Sequence, residues 1–212
     1  MRVTAQAKSA TRKRILQAAR RLFADQGYDA TTTRDIAGAA EIASGTLFNY
    51  FATKEAIVAA LANDAIGDAL DASAPGVAAR QADTLEEDLF ALVVAGLRKL
   101  KHLRKHLPSL LETSLSPLAA TASDAQQDST SFRVRQLEAV AALAIRHGFA
   151  PMSPTALQLY WTLYTGVLVF WAGDTSAKQE ETLALIDDSI NMFVGWLREQ
   201  GKSTSRSSSS LR

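Results

Sequence analysis

The amino-acid sequence predicts an all-α fold of about nine helices, and three observations carry that prediction. Apolar residues recur every three or four positions through most of the chain. Alanine is plentiful while only 5 prolines and 11 glycines interrupt 212 residues, a composition that favours helix nearly throughout. The interruptions fall between periodic segments, as at Gly27, Ser73-Ala74-Pro75-Gly76, Pro117 and Gly148. Apolar content of 47% against 21% charged suffices for a buried core. Cysteine is absent, which excludes disulfides and cysteine-based zinc sites. The first residues, MRVTAQAKSATRKR, are basic without an apolar core and do not read as a signal peptide. No run reaches the ~20 apolar residues of a membrane helix, so no membrane partner and a cytoplasmic location are expected.

Charge is unevenly divided. Residues 1–55 hold nine Lys/Arg and five Asp/Glu, 9 − 5 = +4, and residues 56–212 hold fourteen and seventeen, 14 − 17 = −3. A basic first quarter suits a chain that presents one end to phosphates.

Residues 1 to about 9 lack periodicity and read as a mobile basic arm. A helix follows from Lys13 to Gln26, with Ile15, Leu16, Ala19, Leu22 and Phe23 as its apolar stripe and Gly27 as its stop. The stretch from Thr31 to Phe51, TTTRDIAGAAEIASGTLFNYF, then reads as two short helices joined by a tight bend. Thr32 caps the first and Asp35 reaches back to the cap's amide. Ile36, Ala37 and Ala40 form its buried face. The bend falls at Glu41-Ile42-Ala43, and a second helix runs from Ser44 to Tyr50, held inward by Leu47 and Phe51. Ser44, Gly45, Thr46, Phe48, Asn49 and Tyr50 are left outward. They are small, hydroxylic, amide or aromatic, with no acid among them. Such a face can lie on a polyanion and offer hydrogen bonds to base edges in a major groove. This is a helix-turn-helix pattern.

Residues 11 to 58 resemble the N-terminal DNA-binding domain of the TetR family of bacterial transcriptional regulators. The text that carries the resemblance is ILQAARRLFADQGYDATTTRDIAGAA, then GTLFNYF and TKEAIV. It covers roughly a quarter of the chain; the rest is similar to that family in length, helical character and layout. The resemblance implies a homodimer that represses promoters at a near-palindromic operator and releases DNA when a small molecule binds the C-terminal domain. It also implies residue roles. Thr33 and Lys54, each at a helix start, and the Tyr50 hydroxyl match the family's phosphate contacts. Ser44, Thr46, Phe48 and Asn49 are the base-reading candidates, and Gly45 lets the backbone approach closely. Two positions depart from the family's common pattern: Glu41 stands where many members have glycine, and Ala43 where many have a serine cap. Ser44 replaces a common lysine or arginine.

After a cap at Thr53, a connecting helix is expected to Ala72. The domain plan is 1–55 for the helix-turn-helix domain with its arm, 56–200 for a helical effector-binding and dimerisation domain, and 201–212 as a disordered polar tail. Within the larger domain, helices are expected over Thr84–His106, Pro108–Leu115, Ser131–His147, Pro154–Ala172 and Ser176–Arg198. The helix LQLYWTLYTGVLVFWAG is apolar nearly all round, so it must be covered on every side. One strip is assigned to an effector pocket lined by Phe90, Val94, Leu97, Leu111, Glu112, Tyr160, Trp161 and Tyr164, suited to an apolar or aromatic molecule. The last two helices are assigned to a dimer face through Leu163, Val167, Phe170, Ile186, Ile190, Phe193, Val194 and Leu197.

His102 and His106 stand at zinc-ligand spacing, but lysines and arginines flank them, and Glu112 and His147 are the only third ligands to suggest. No metal or cofactor is expected. A helical enzyme ranks last, because no nucleophile–base pair, paired carboxylates or phosphate loop can be located. An effector-independent DNA-binding protein is the nearer rival, and a well-formed pocket would weigh against it.

Overall fold

The computed structural model describes residues 5–72, 83–106 and 124–209. Every regular element among them is helical: α1 (Ala5–Asp25), α2 (Thr33–Ala39), α3 (Ser44–Phe48), α4 (Lys54–Ala72), α5 (Leu85–Leu100), α6 (Asp124–Arg146), α7 (Pro154–Gly173) and α8 (Glu180–Ser209). Short 3-10 segments cover Lys101–His106 and Ala177–Gln179. The helix expected over residues 108–115 lies outside the described residues. The chain divides into two compact units, Met1–Asp64 with Glu112–Ser131 and Ala65–Leu111 with Phe132–Arg212, and the first break falls within α4. That is past the expected 55/56 boundary, because the first turns of α4 bury Ala56, Ile57, Val58, Ala60 and Leu61.

In the first unit, α1 packs on α2 and α2 on α3. Its centre is a set of almost fully enclosed side chains: Ile15, Ile36, Leu47, Phe51 and Ile57. Gly27, at φ 86°, ends the loop side of α1 in the left-handed region that glycine adopts without strain. Two ends of the chain are more helical than expected. α1 begins at Ala5 rather than Lys13, and α8 runs to Ser209, past Arg198 and into the segment expected to be disordered. No proline interrupts either extension, and adding residues to a helix already nucleated by a packed stem costs little.

The second unit is built on α5, α7 and α8, with α5 against α8 and α7 against α8. Leu89 and Leu100 of α5, Leu168 and Trp171 of α7, and Ile186 and Phe193 of α8 are its most enclosed large side chains. Each helix start is specified locally. Thr84 caps α5 through the Glu87 amide at 3.2 Å, and Ser153 caps α7 through the Ala156 amide at 3.2 Å, with Pro154 in the first turn. α6 closes on Gly148, φ 79°, whose amide donates to Ile145 while Phe149 donates to Ala144. That pairing is a Schellman stop.

Polar ties fix the joints. Asp174 accepts from the amides of Ser176 at 2.7 Å and Thr182 at 3.1 Å and from the Thr182 hydroxyl. Those hydrogen bonds hold its carboxyl below the ordinary carboxylate range. Arg104 donates to the carbonyls of Trp171, at 2.7 Å, and Asp174. Asp88 joins α5 to the end of α6 through Arg146 and His147.

Candidate nucleic-acid interface

The helix-turn-helix begins at the capping box predicted for it. The Asp35 amide donates to Thr32 Oγ1 at 3.2 Å, and the Thr32 amide donates to Asp35 Oδ2 at 2.8 Å. The Thr32 hydroxyl also donates to that carboxylate at 2.7 Å, and these bonds lower the Asp35 pKa. One residue earlier, Thr31 is fully buried, donating to the Gly27 carbonyl at 2.7 Å and accepting from Gln26 at 3.2 Å.

The bend after α2 is also a Schellman stop. The Glu41 amide donates to Gly38 at 3.1 Å and the Ile42 amide to Ala37 at 3.0 Å. Its left-handed residue is Glu41, at φ 55°. A side chain is strained there and glycine is not, which explains physically why glycine suits this position. Two residues on, Ala43 takes the N-cap of α3 in extended geometry and makes no side-chain cap bond. The turn is therefore made with two unfavourable residues, and packing must hold it. Leu47 and Phe51, 0% and 2% exposed, supply that packing from within and just after α3.

Leu47 and Phe51 face inward, and the other side of α3 faces out. Ser44, Gly45 and Asn49 are exposed, Phe48 is 51% exposed, and Thr46 and Tyr50 are half-buried. The side chains of Ser44, Thr46, Asn49 and Tyr50 make no hydrogen bond among the described residues, and neither does that of Thr33 at the start of α2. A Cβ added to Gly45 would meet nothing within 4 Å. Nothing inside the unit requires glycine there, so its small size matters only to what approaches from outside. Arg34, exposed on α2 beside Thr33, adds a cation that the residue pattern alone did not single out.

Lys54 is placed differently from the expected phosphate contact. Its ammonium donates to the carbonyls of Tyr28 at 2.9 Å and Thr31 at 3.0 Å and lies 3.8 Å from the centre of the Tyr28 ring. The Tyr28 hydroxyl donates to Glu55 Oε1 at 2.8 Å. Burial first, then the Glu55 carboxylate, raises the phenol's pKa and keeps it a neutral donor. Lys54 thus ties the loop between α1 and α2 to the first turn of α4.

Around the aromatic strip, Tyr160 stacks on Tyr164 with centroids 6.0 Å apart and meets Phe193 at 5.7 Å; Trp161 meets Tyr164 at 5.9 Å. Gln136, buried, donates to the Tyr160 hydroxyl at 3.0 Å. Burial raises the pKa of both tyrosines. The space left beside Tyr160, Tyr164 and Phe193 is about 20 Å³, room for one water and no ligand. Val94 and Leu97 instead line a separate cleft of about 460 Å³, Phe90 is half-buried elsewhere on α5, and Leu111 and Glu112 lie outside the described residues.

Of the expected dimer face, Val167, Ile186, Ile190, Phe193 and Val194 are buried in the unit's own core. Leu163 and Leu197 are half-buried, and Phe170 is exposed. On a helix apolar nearly all round, spacing does not tell which stripe meets the chain's own core.

A helix-turn-helix beside a larger set of helices defines a class of protein, and the comparisons with known proteins show what its first quarter is similar to. Residues 15–61 match the family described as "Bacterial regulatory proteins, tetR family". Over 51 residues the chain is 51% identical to the HTH-type transcriptional repressor KstR2 of Rhodococcus jostii, a match covering 24% of this chain and 25% of that one. The chain thus matches only about a quarter of the length of such relatives. Two solved structures share the fold far more widely. A TetR transcriptional regulator from Rhodococcus sp. RHA1 superposes with a TM-score of 0.66 at 20% identity, over 88% of this chain and 97% of that one. Thermus thermophilus FadR, a TetR-family repressor in complex with lauroyl-CoA, superposes with a TM-score of 0.64 at 21% identity, over 86% and 93%. Residues 15–61 thus carry the DNA-binding domain of the TetR family, and the fold of the chain is that of these TetR-family structures.

Proposed function

We propose that this protein is a homodimeric, sequence-specific DNA-binding regulator that represses transcription and is released from its operator by a small-molecule effector. The observation that supports this best is the outward face of α3. Its hydroxyl and amide side chains have no hydrogen-bond partners among the described residues, beside a glycine whose added Cβ would meet nothing within 4 Å. Hydrogen-bonding groups left free on a rigid short helix suit base edges, with Phe48 positioned for a thymine methyl. Ser44, Thr46, Phe48 and Asn49 read bases, Gly45 permits close approach, and Thr33 and Tyr50 hold phosphates. Lys54 acts by fixing the loop that precedes α2.

The test is binding of labelled promoter fragments by fluorescence anisotropy, with random DNA as the reference. Asn49→Ala should cost roughly 1–3 kcal/mol on the operator and little on random DNA. Equal loss on both would overturn the base-reading role.

The dimer we propose uses the exposed strips of α7 and α8, not the buried stripe. Thr162, Gly166, Val169 and Phe170 are exposed on α7, and Met192, 62% exposed, stands on α8. Apolar side chains left in water next to a glycine with open space above it suit helix-on-helix contact with a second copy. Two reading helices held about one DNA turn apart, ~34–36 Å, would demand a near-palindromic operator. Met192→Glu should give monomers in sedimentation, and a wild-type monomer at micromolar concentration would sink the dimer. The filled aromatic interior is the one observation that favours an effector-independent regulator. The cleft at the other end of α5 weighs against it.

A further inference from the structure

The cleft of about 460 Å³ that Val94 and Leu97 line joins three chain segments. The end of α5 supplies one wall. Trp171, at the end of α7, supplies the floor, and the segment from Lys178 to Leu183 closes the far side. Its volume lies in the range of small-molecule sites, ~300–1,000 Å³. Its chemistry is two-sided. Val94, Leu97, Trp171 and Leu183 are apolar, while Arg98, Lys101 and Lys178 bring three cations. Among the described residues no acidic side chain lines it, and none of the three cations makes an ion pair. Cations gathered without counter-charge repel one another, so an anion placed among them relieves a repulsion as well as forming new bonds.

The walls are built rather than incidental. Trp171, 1% exposed, donates through Nε1 to Gln179 Oε1 at 3.0 Å. The Arg104 guanidinium donates to the Trp171 carbonyl and lies 5.4 Å from its ring centre. Lys178 and Gln179 both stand in the left-handed region, at φ 53° and 61°. Two consecutive non-glycine residues there are strained, and the Gln179 bond to Trp171 together with the Asp174 bonds to Ser176 and Thr182 on either side holds them. That backbone carries Lys178 to the rim of the cleft.

We propose that this cleft binds a small amphiphilic anion, a medium-chain carboxylate, whose head lies among Arg98, Lys101 and Lys178 and whose chain lies against Leu97, Trp171 and Leu183. It is then the site where the effector enters, a step that rests on the regulator reading above. A neutral molecule would leave the cations unsatisfied, and a sugar or free phosphate would leave the apolar wall wet.

The test is calorimetric titration of the full-length protein with sodium decanoate below its micellar concentration, with decanol and decyltrimethylammonium as controls. Decanoate should bind at least tenfold more tightly than either control. Arg98→Ala/Lys101→Ala/Lys178→Ala should weaken it at least tenfold, with the cooperative thermal melt retained. Leu183→Asp, which keeps all three cations and places a carboxylate on the apolar rim, should weaken it too. Equal binding of the three probes, no binding of decanoate, or unchanged binding by both variants would overturn the site. Operator affinity is measured separately. Decanoate bound without change in operator affinity overturns the effector role, and a wild-type protein with no operator preference overturns the regulator reading while leaving the cleft measurement intact.

Discussion

Replacing Lys54 with methionine keeps the aliphatic stem and removes the ammonium that joins the loop before α2 to the start of α4. Two charge-assisted hydrogen bonds, to Tyr28 and Thr31, are lost. Each is worth ~1.5–3 kcal/mol where water is excluded. The contact with the Tyr28 ring, at 3.8 Å, adds roughly 0.5–2 kcal/mol. Lys54 is half-buried, so water reaches the released carbonyls and recovers part of that sum. The net loss should be about 2 kcal/mol, which for a chain of this size lowers Tm by roughly 4–8 °C. Urea denaturation followed by circular dichroism measures it, alongside operator binding at several salt concentrations. The salt slope should stay within a few tenths of wild type. A stability change under 0.5 kcal/mol with a slope flattened by about 0.9, one phosphate's worth, would refute the clamp and make Lys54 a phosphate contact.

Glu41→Gly should stabilise the protein by about 1 kcal/mol in the same denaturation assay, since it relieves a left-handed side chain at φ 55°; destabilisation would mean that the glutamate makes up the strain elsewhere. Ala43→Ser should add about 1 kcal/mol by capping α3, which now lacks a side-chain cap bond, and no change would show the cap position occupied by water at equal free energy. Gln136→Leu should leave the buried Tyr160 hydroxyl without its donor, costing ~1–3 kcal/mol; a neutral result would show the hydroxyl satisfied by another group. Asp174 and Asp35 have folded pKa values below their ordinary ones, so the stability they contribute is full above about pH 3.9 and is lost as pH falls further. Asp174→Asn should therefore be less stable than wild type at pH 6, and the gap should close in acid; a gap constant to pH 2 would contradict the linkage.

The parts legible in the sequence are those written in short-range chemistry. Thr32 and Asp35, Thr84, Ser153 with Pro154, Gly27 and Gly148 each specify a helix end through bonds within five residues, and each is found where it was expected. The buried stripe of α2 and the inward pair Leu47 and Phe51 follow from helical spacing in the same way. What was not legible depends on distant partners. Lys54 meets carbonyls 23 and 26 residues away. The cleft draws Arg98, Trp171 and Lys178 from three separate segments, so spacing along any one helix could not bring them together. On α7 the periodicity correctly demanded cover on all sides. It could not assign Val167 to the chain's own core and Val169 to its exterior.

The helix-turn-helix divides its labour between residues that build and residues that present. Thr31, Thr32, Asp35 and Lys54 have their polar groups engaged within the unit; the side chains of Ser44, Thr46, Asn49 and Tyr50 make no hydrogen bond among the described residues. α3 itself is only Ser44–Phe48, begins without a cap bond and follows a strained residue, so in isolation it would not persist as a helix. Its geometry is borrowed from Leu47, Phe51 and Ile36 beneath it. Because Ser44, Phe48 and Asn49 are exposed and stand off that packing, they can be exchanged without unfolding the unit, whereas the building residues cannot. A scaffold of this kind lets the sequence read by α3 change while the fold stays the same. That is the physical condition for one fold to serve many operators, and under the function proposed above the outward residues of α3 are where specificity has to be sought.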